Sequence, residues 1–179
     1  MALLPTRQPI AFSRQNKTGR YLRPARDNKK HSIVEDIIAT FHTRLLQAFP
    51  VDYPEDLQIT KHGCDECEQV ANDFLGQRWD LLPRTVLDNN FDKLPLFTLE
   101  ALQYFLPAYL RAALAEPESD VAEFLSYMLA PSGLPAKFIP HFTTAQRRMV
   151  VEYLDLTASD PEFQDKTWHK TRRRWLPNE

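Results

Sequence analysis

Glycine is scarce in this chain: four residues in 179, against 14 prolines. Scarce glycine excludes a sandwich or barrel dense in tight turns and leaves no Gly-rich loop to cradle a phosphate. Cysteine is rarer still. Two residues, Cys64 and Cys67, cannot build the disulfide framework of a small secreted protein. No apolar run approaches the ~18 residues that a membrane-spanning helix needs. The opening Met1-Ala2-Leu3-Leu4-Pro5 is too short for a signal-peptide apolar region. An Arg-rich, acid-poor start also fits an organelle transit peptide, but serine is scarce there and no helical apolar stripe is present. The expectation is a cytoplasmic protein that does not engage a membrane.

What the chain does have is segregated charge. Residues 1–30 carry eight Lys/Arg and one acid, Asp27, for a net of +7. Residues 31–165 carry nine basic and 22 acidic residues, a net of −13, and residues 166–179 return to +4. An acidic body therefore lies between two basic ends. Such a pattern speaks to partners and association rates, not to fold. With 43% hydrophobic and 11% aromatic residues, the body has enough apolar material for a real core.

Residues 1–30 show no periodicity and cannot bury enough surface to offset their ordering entropy. Order is expected from Ser32, where Ser32-Ile33-Val34-Glu35 fits a capping box. Ile33, Ile37, Phe41 and Leu45 follow at four-residue spacing, and Pro50 closes the helix. A second helix is expected from about Asp65 to Leu75, with Gly76 at its C′ position. A short third helix should carry Trp79, Leu82, Val86 and Leu87, and Asp88-Asn89-Asn90 reads as a turn. The stretch from Thr98 to Leu114 is apolar round most of its circumference, which predicts a central buried helix, kinked near Pro107. Ser119 caps the next helix, and Pro131 to Pro140 forms a proline-rich connector. Thr143-Thr144-Ala145-Gln146 opens another helix by a second capping box, and a weaker last helix carries Trp168 and Trp175. No strand-like alternation of useful length appears.

The sharpest chemical motif is His62-Gly63-Cys64-Asp65-Glu66-Cys67. Two thiolates one helical turn apart can chelate zinc, but a closed structural site needs four ligands. His62 and another histidine would have to complete it, and His31, His42, His141 and His169 show no ligand-pair spacing. Zinc is therefore the single cofactor candidate, on Cys64, Cys67 and His62, against an expectation of none. A redox thiol needs a depressed pKa, which Asp65, Glu66 and Glu68 oppose. The plain alternative is that Cys67 packs in the core while Cys64 borders the helix. A Cys–His nucleophile is not specified by the spacing, and no carboxylate pair stands out as an acid–base couple.

The basic ends offer Arg14, Arg20, Tyr21, Arg23 and Arg26 at the N-terminus and Arg172, Arg173 and Trp175 at the C-terminus as partner contacts. They suit nucleic acid through phosphate contacts and stacking. Against that, the −13 body repels a polyanion, and cations at a helix C-terminus simply favour its negative pole. The N-terminal arm suits an acidic cleft on a partner, or the chain's own acidic body.

From Phe49 to about Leu156 the chain resembles a family of small bacterial proteins known only as a domain of unknown function. The matching residues are Phe49-Pro50 with Tyr53-Pro54, Cys64-Asp65-Glu66-Cys67-Glu68, and Phe74-x-Gly76-x-x-Trp79. They continue with Leu96-Phe97-Thr98-x-Glu100-Ala101, Tyr104-x-Leu106-Pro107-Ala108-Tyr109-Leu110 and Phe142-Thr143-x-x-Gln146. The resemblance implies a domain and carries no mechanism. Some small families of this kind accompany bacterial toxins as immunity proteins.

Together these observations predict an all-α protein, a single compact bundle of roughly five to seven helices with a disordered basic N-terminal arm. The divisions expected are residues 1–31 for the arm, 32–158 for the domain and 159–179 for a basic C-terminal helix or tail. The leading functional expectation is a non-catalytic protein-binding module, most concretely an immunity or inhibitor protein whose acidic body binds a basic partner such as a toxin. The alternatives are a small metal- or thiol-dependent enzyme centred on Cys64 and Cys67, and a nucleic-acid accessory protein using the basic ends.

Overall fold

A computed structural model describes residues 25–158 and 164–177, with side chains from Ser32 onward. The chain divides into two compact units, Met1–Glu35 and Asp36–Glu179. Among the described residues the regular structure is helical, and the only extended pairing is an isolated bridge between Thr60 and Phe97. The all-α expectation holds, with seven α-helices among the described residues. None of them is long and apolar enough to cross a membrane.

Helix α1 spans Ala25–Ala48. It starts upstream of Ser32, so Ser32-Ile33-Val34-Glu35 lies inside the helix and does not cap it. Its C-terminal half is amphipathic as the spacing requires: Phe41 and Leu45 are buried, and so is Phe49 just beyond. The expected stripe is shorter than it reads, because Ile33 and Ile37 are exposed.

Helix α2 spans Asp65–Phe74 and buries Cys67, Val70 and Phe74 on one face. It ends where Gly76 adopts φ 70°, a left-handed conformation that glycine takes without the Cβ clash of other residues. Helix α3 spans Arg84–Asn89, so Asp88 and Asn89 belong to a helix and the turn begins at Asn90. Trp79 precedes α3 in an irregular segment, fully buried, with its indole N–H donating to the Pro50 carbonyl at 2.8 Å. Asn90 is buried and satisfied. Its amide donates to Asp73 and to the Val86 carbonyl, each at 2.9 Å, and its own carbonyl accepts from the Tyr109 hydroxyl at 2.9 Å.

Helix α4, Leu99–Ala115, is the centre of the body, and 12 of its 17 residues are buried. The helix continues as one element through the buried Pro107. Helix α5 (Asp120–Leu129) and helix α6 (Thr144–Thr157) pack against α4, and α7 (Lys166–Trp175) packs on α6. Side-chain caps start four of these helices: Thr98, Ser119, Thr143 and Asp165 each accept a backbone N–H of the first turn. Thr143 and Gln146 complete the reciprocal capping box expected from their spacing. The expected start of the C-terminal helix or tail at residue 159 lies outside the described residues, and α7 begins at Lys166 with Asp165 as its cap. The connector from Pro131 to Pro140 is shaped by a 3₁₀ turn over Ala136–His141.

Candidate functional site

An open groove of about 800 Å³ marks the surface of the Asp36–Glu179 unit. Three segments build it: the loop from Pro50 to Gln58, the first turns of α4, and the stretch from His141 to Gln146 that opens α6. The loop is irregular because Pro50 and Pro54 interrupt it, and side chains fasten it to the core. Trp79 donates to the Pro50 carbonyl at 2.8 Å and Tyr104 to the Val51 carbonyl at 2.9 Å. The Thr98 hydroxyl donates to the Gln58 carbonyl at 2.6 Å while its backbone N–H donates to the Ile59 carbonyl at 2.9 Å. On the far side the Gln103 amide donates to the His141 carbonyl at 2.5 Å, so α4 also positions the segment ahead of α6.

The groove is acidic. Glu55, Asp56 and Glu100 line it, all exposed, and among the described residues no Lys or Arg does. None of the three carboxylates is in an ion pair among the described residues. Gln58, Gln103, His141 and Thr143 add neutral hydrogen-bonding groups, and Tyr104, Leu57 and the two prolines add apolar surface. An open cleft of one sign concentrates ions of the other. The Thr98 and Thr143 hydroxyls in its lining hydrogen-bond to backbone groups.

Behind the loop lies a polar cluster. Arg78 forks onto Asp80 at 3.1 and 2.8 Å, and Arg111 donates to the Asp80 carbonyl at 2.6 Å. His42 sits beside them with its ring edge toward Trp79 and a buried, unpartnered Nδ1. Burial and the Arg111 charge hold its pKa below the ordinary imidazole value.

The expected metal residues fall at the start of α2. His62 and Cys64 are exposed, Cys67 is fully buried, and both cysteines are free thiols. Among the described residues no three His, Cys, Asp or Glu side chains come together as a metal site. Cys64 caps α2, its sulphur accepting the Cys67 backbone N–H at 3.4 Å. Each thiol's neighbour in the pair holds the Cys64 pKa below and the Cys67 pKa above the ordinary range, burial adding to the rise at Cys67.

At the C-terminus, Arg172 forks onto Asp155 at 2.7 and 3.0 Å, and Arg173 is exposed. Trp175 is fully buried, its indole N–H donating to the Leu129 carbonyl at 3.0 Å. Its ring serves the core and presents no face for a base to stack on. Arg14, Arg20, Tyr21 and Arg23 lie outside the described residues, and Arg26 sits in the first turn of α1.

The residues that carry the family resemblance mostly hold the fold. Phe74 is core, Gly76 ends α2, Trp79 and Tyr104 tether the groove loop, Tyr109 satisfies Asn90, and Thr143 with Gln146 caps α6. The groove itself escapes a linear reading, because its carboxylates come from positions 55, 56 and 100. A faint signal was available in Glu55-Asp56 beside Pro54 and in the Thr98-x-Glu100 helix start.

No curated protein and no solved structure matches the chain. Residues 29–178 match the profile of a family of unknown function, DUF6714, which spans the helical body described above. The chain therefore belongs to the family of unknown function DUF6714.

Proposed function

We propose that this protein is a non-catalytic binding module whose acidic groove receives a basic segment of another protein. The observation that carries this reading is the groove lined by Glu55, Asp56 and Glu100, with no opposing Lys or Arg among the described residues. The −13 charge of residues 31–165 supplies a long-range field of the same sign, which speeds encounter with a cationic partner. In its most concrete form the protein is a bacterial, cytoplasmic immunity or inhibitor protein, and the partner is a basic toxin. Such a toxin presents cations that normally contact a polyanion, and an acidic groove can occupy them.

The test uses the full chain and the protein encoded beside it. Mixed at low ionic strength, the two should form a stoichiometric complex, and the neighbour's activity should fall in proportion to complex formed. The association rate should drop by about tenfold or more between about 0.05 and 0.5 M salt. No complex, or a complex that leaves the neighbour fully active, would remove the inhibitor reading.

A further inference from the structure

The groove leaves the Cys64–Cys67 pair unused, and the pair is built in a particular way. Cys64 is exposed and Cys67 lies directly behind it, fully buried. Cys64 has extended backbone angles, φ −104° and ψ 161°, which fold its side chain back over the first turn of α2. Its sulphur thereby reaches the Cys67 backbone N–H at 3.4 Å. The two cysteines thus stand at the N-cap and the third position of one helical turn, the Cys-x-x-Cys arrangement in which thiol pairs are redox-active.

The surroundings favour a thiolate at the exposed position. The Cys64 sulphur stands at the N-terminus of a ten-residue helix, where backbone N–H groups stabilise negative charge. Of the nearby acids, Glu66 is engaged by Lys93 at 2.7 Å, which weakens its opposition to a Cys64 anion. Asp65 and Glu68 in the same turn are exposed to solvent, which screens them.

We infer that Cys64 and Cys67 form a redox-active dithiol, with Cys64 as the attacking thiolate, Cys67 as the resolving thiol and a low-molecular-weight disulfide as the oxidant. The Cys64 thiolate attacks one sulphur of the small disulfide. A mixed disulfide forms at Cys64 and one small thiolate leaves and takes up a proton. Cys67 then loses its proton to solvent and attacks the Cys64 sulphur, releasing the second small thiol. Two protein thiols are oxidised to one disulfide, and one small disulfide is reduced to two thiols. The burial of Cys67 confines it to this second step, since only Cys64 faces solvent.

The experiment incubates the full chain, reduced beforehand, with glutathione disulfide and reads intact mass and free thiols over time. The expected product has lost two hydrogens and both thiols, with no lasting glutathione adduct, and dithiothreitol restores it. Cys67→Ser should accumulate a glutathione adduct at Cys64, whereas Cys64→Ser should react at least about tenfold more slowly than wild type. Circular dichroism verifies that each variant is folded, and the wild-type result stands without them. A persistent adduct on wild type, or two free thiols after prolonged exposure, would overturn the inference.

Discussion

The indole N–H of Trp175 donates to the Leu129 carbonyl at 3.0 Å, joining the end of α7 to the end of α5 across 46 residues of sequence. The same ring meets Phe142 edge-on at a centroid distance of 5.3 Å. Neighbouring arginines reinforce the junction: Arg174 donates to the carbonyls of Ala130 and Leu134, and Arg147 to those of Trp175 and Leu176. The C-terminal helix is thus part of the core assembly. Trp175→Ala should destabilise the fold by about 3–5 kcal/mol, the usual cost of truncating a buried aromatic. Trp175→Phe keeps much of the volume but removes the donor to Leu129, and should cost about 1–3 kcal/mol. Urea denaturation measures both, and a loss below about 0.5 kcal/mol for the alanine variant would contradict this role.

Glycine positions give a sharper contrast. A Cβ at Gly133 would meet the Tyr127 carbonyl oxygen at 2.4 Å and the Met128 carbonyl oxygen at 2.5 Å. Both are backbone atoms at the end of α5 and cannot rotate away. Gly133→Ala should therefore destabilise by about 1–3 kcal/mol. Gly76→Ala has open space around it but must hold φ 70°, which should cost about 1–2 kcal/mol. Gly63→Ala meets nothing within 4 Å and carries no positive φ, so its unfolding midpoint should match wild type. Thermal melts of the three variants test the ranking.

The helices were legible in the sequence wherever a cap and a periodic apolar face coincided. Thr143 with Gln146 and Ser119 both mark true helix starts, and Gly76 marks a true end. Ser32 misled because a residue pattern that fits a capping box also occurs inside helices, and α1 already begins at Ala25. The Asp88-Asn89-Asn90 run misled by two residues, because tertiary contacts to Asn90 overrode the local turn preference of Asp88 and Asn89. The groove was not legible, since charge proximity across 45 residues depends on how the Pro50–Gln58 loop is tied to α4.

Acid should weaken the fold partly through His42. Its folded pKa lies below the unfolded value near 6.5, because burial and Arg111 disfavour the cation. Between those two values the unfolded chain binds more protons than the folded one, so stability falls as pH drops through that window. Glu152 acts with the opposite sign. Burial raises its folded pKa, so its contribution favours the fold below about 4.5 and is lost as pH rises through the raised value. Replacing His42 by Phe isolates the histidine. Urea midpoints of wild type should fall more steeply than those of His42→Phe between about pH 7 and pH 5. Parallel profiles would contradict the assignment.

The central claim is that the acidic groove holds a cationic segment, and its most direct test is a binding titration. A fluorescently labelled peptide alternating Arg with apolar residues is titrated with the full chain, and with a triple variant carrying Glu55→Gln, Asp56→Asn and Glu100→Gln. The substitutions keep shape and remove three charges, all at exposed positions, so the fold should be unaffected. The account predicts wild-type binding that weakens steeply with salt, and a variant at least about tenfold weaker with a shallower salt dependence. Equal affinity and equal salt dependence for the two proteins would show that the groove is not where the cation binds.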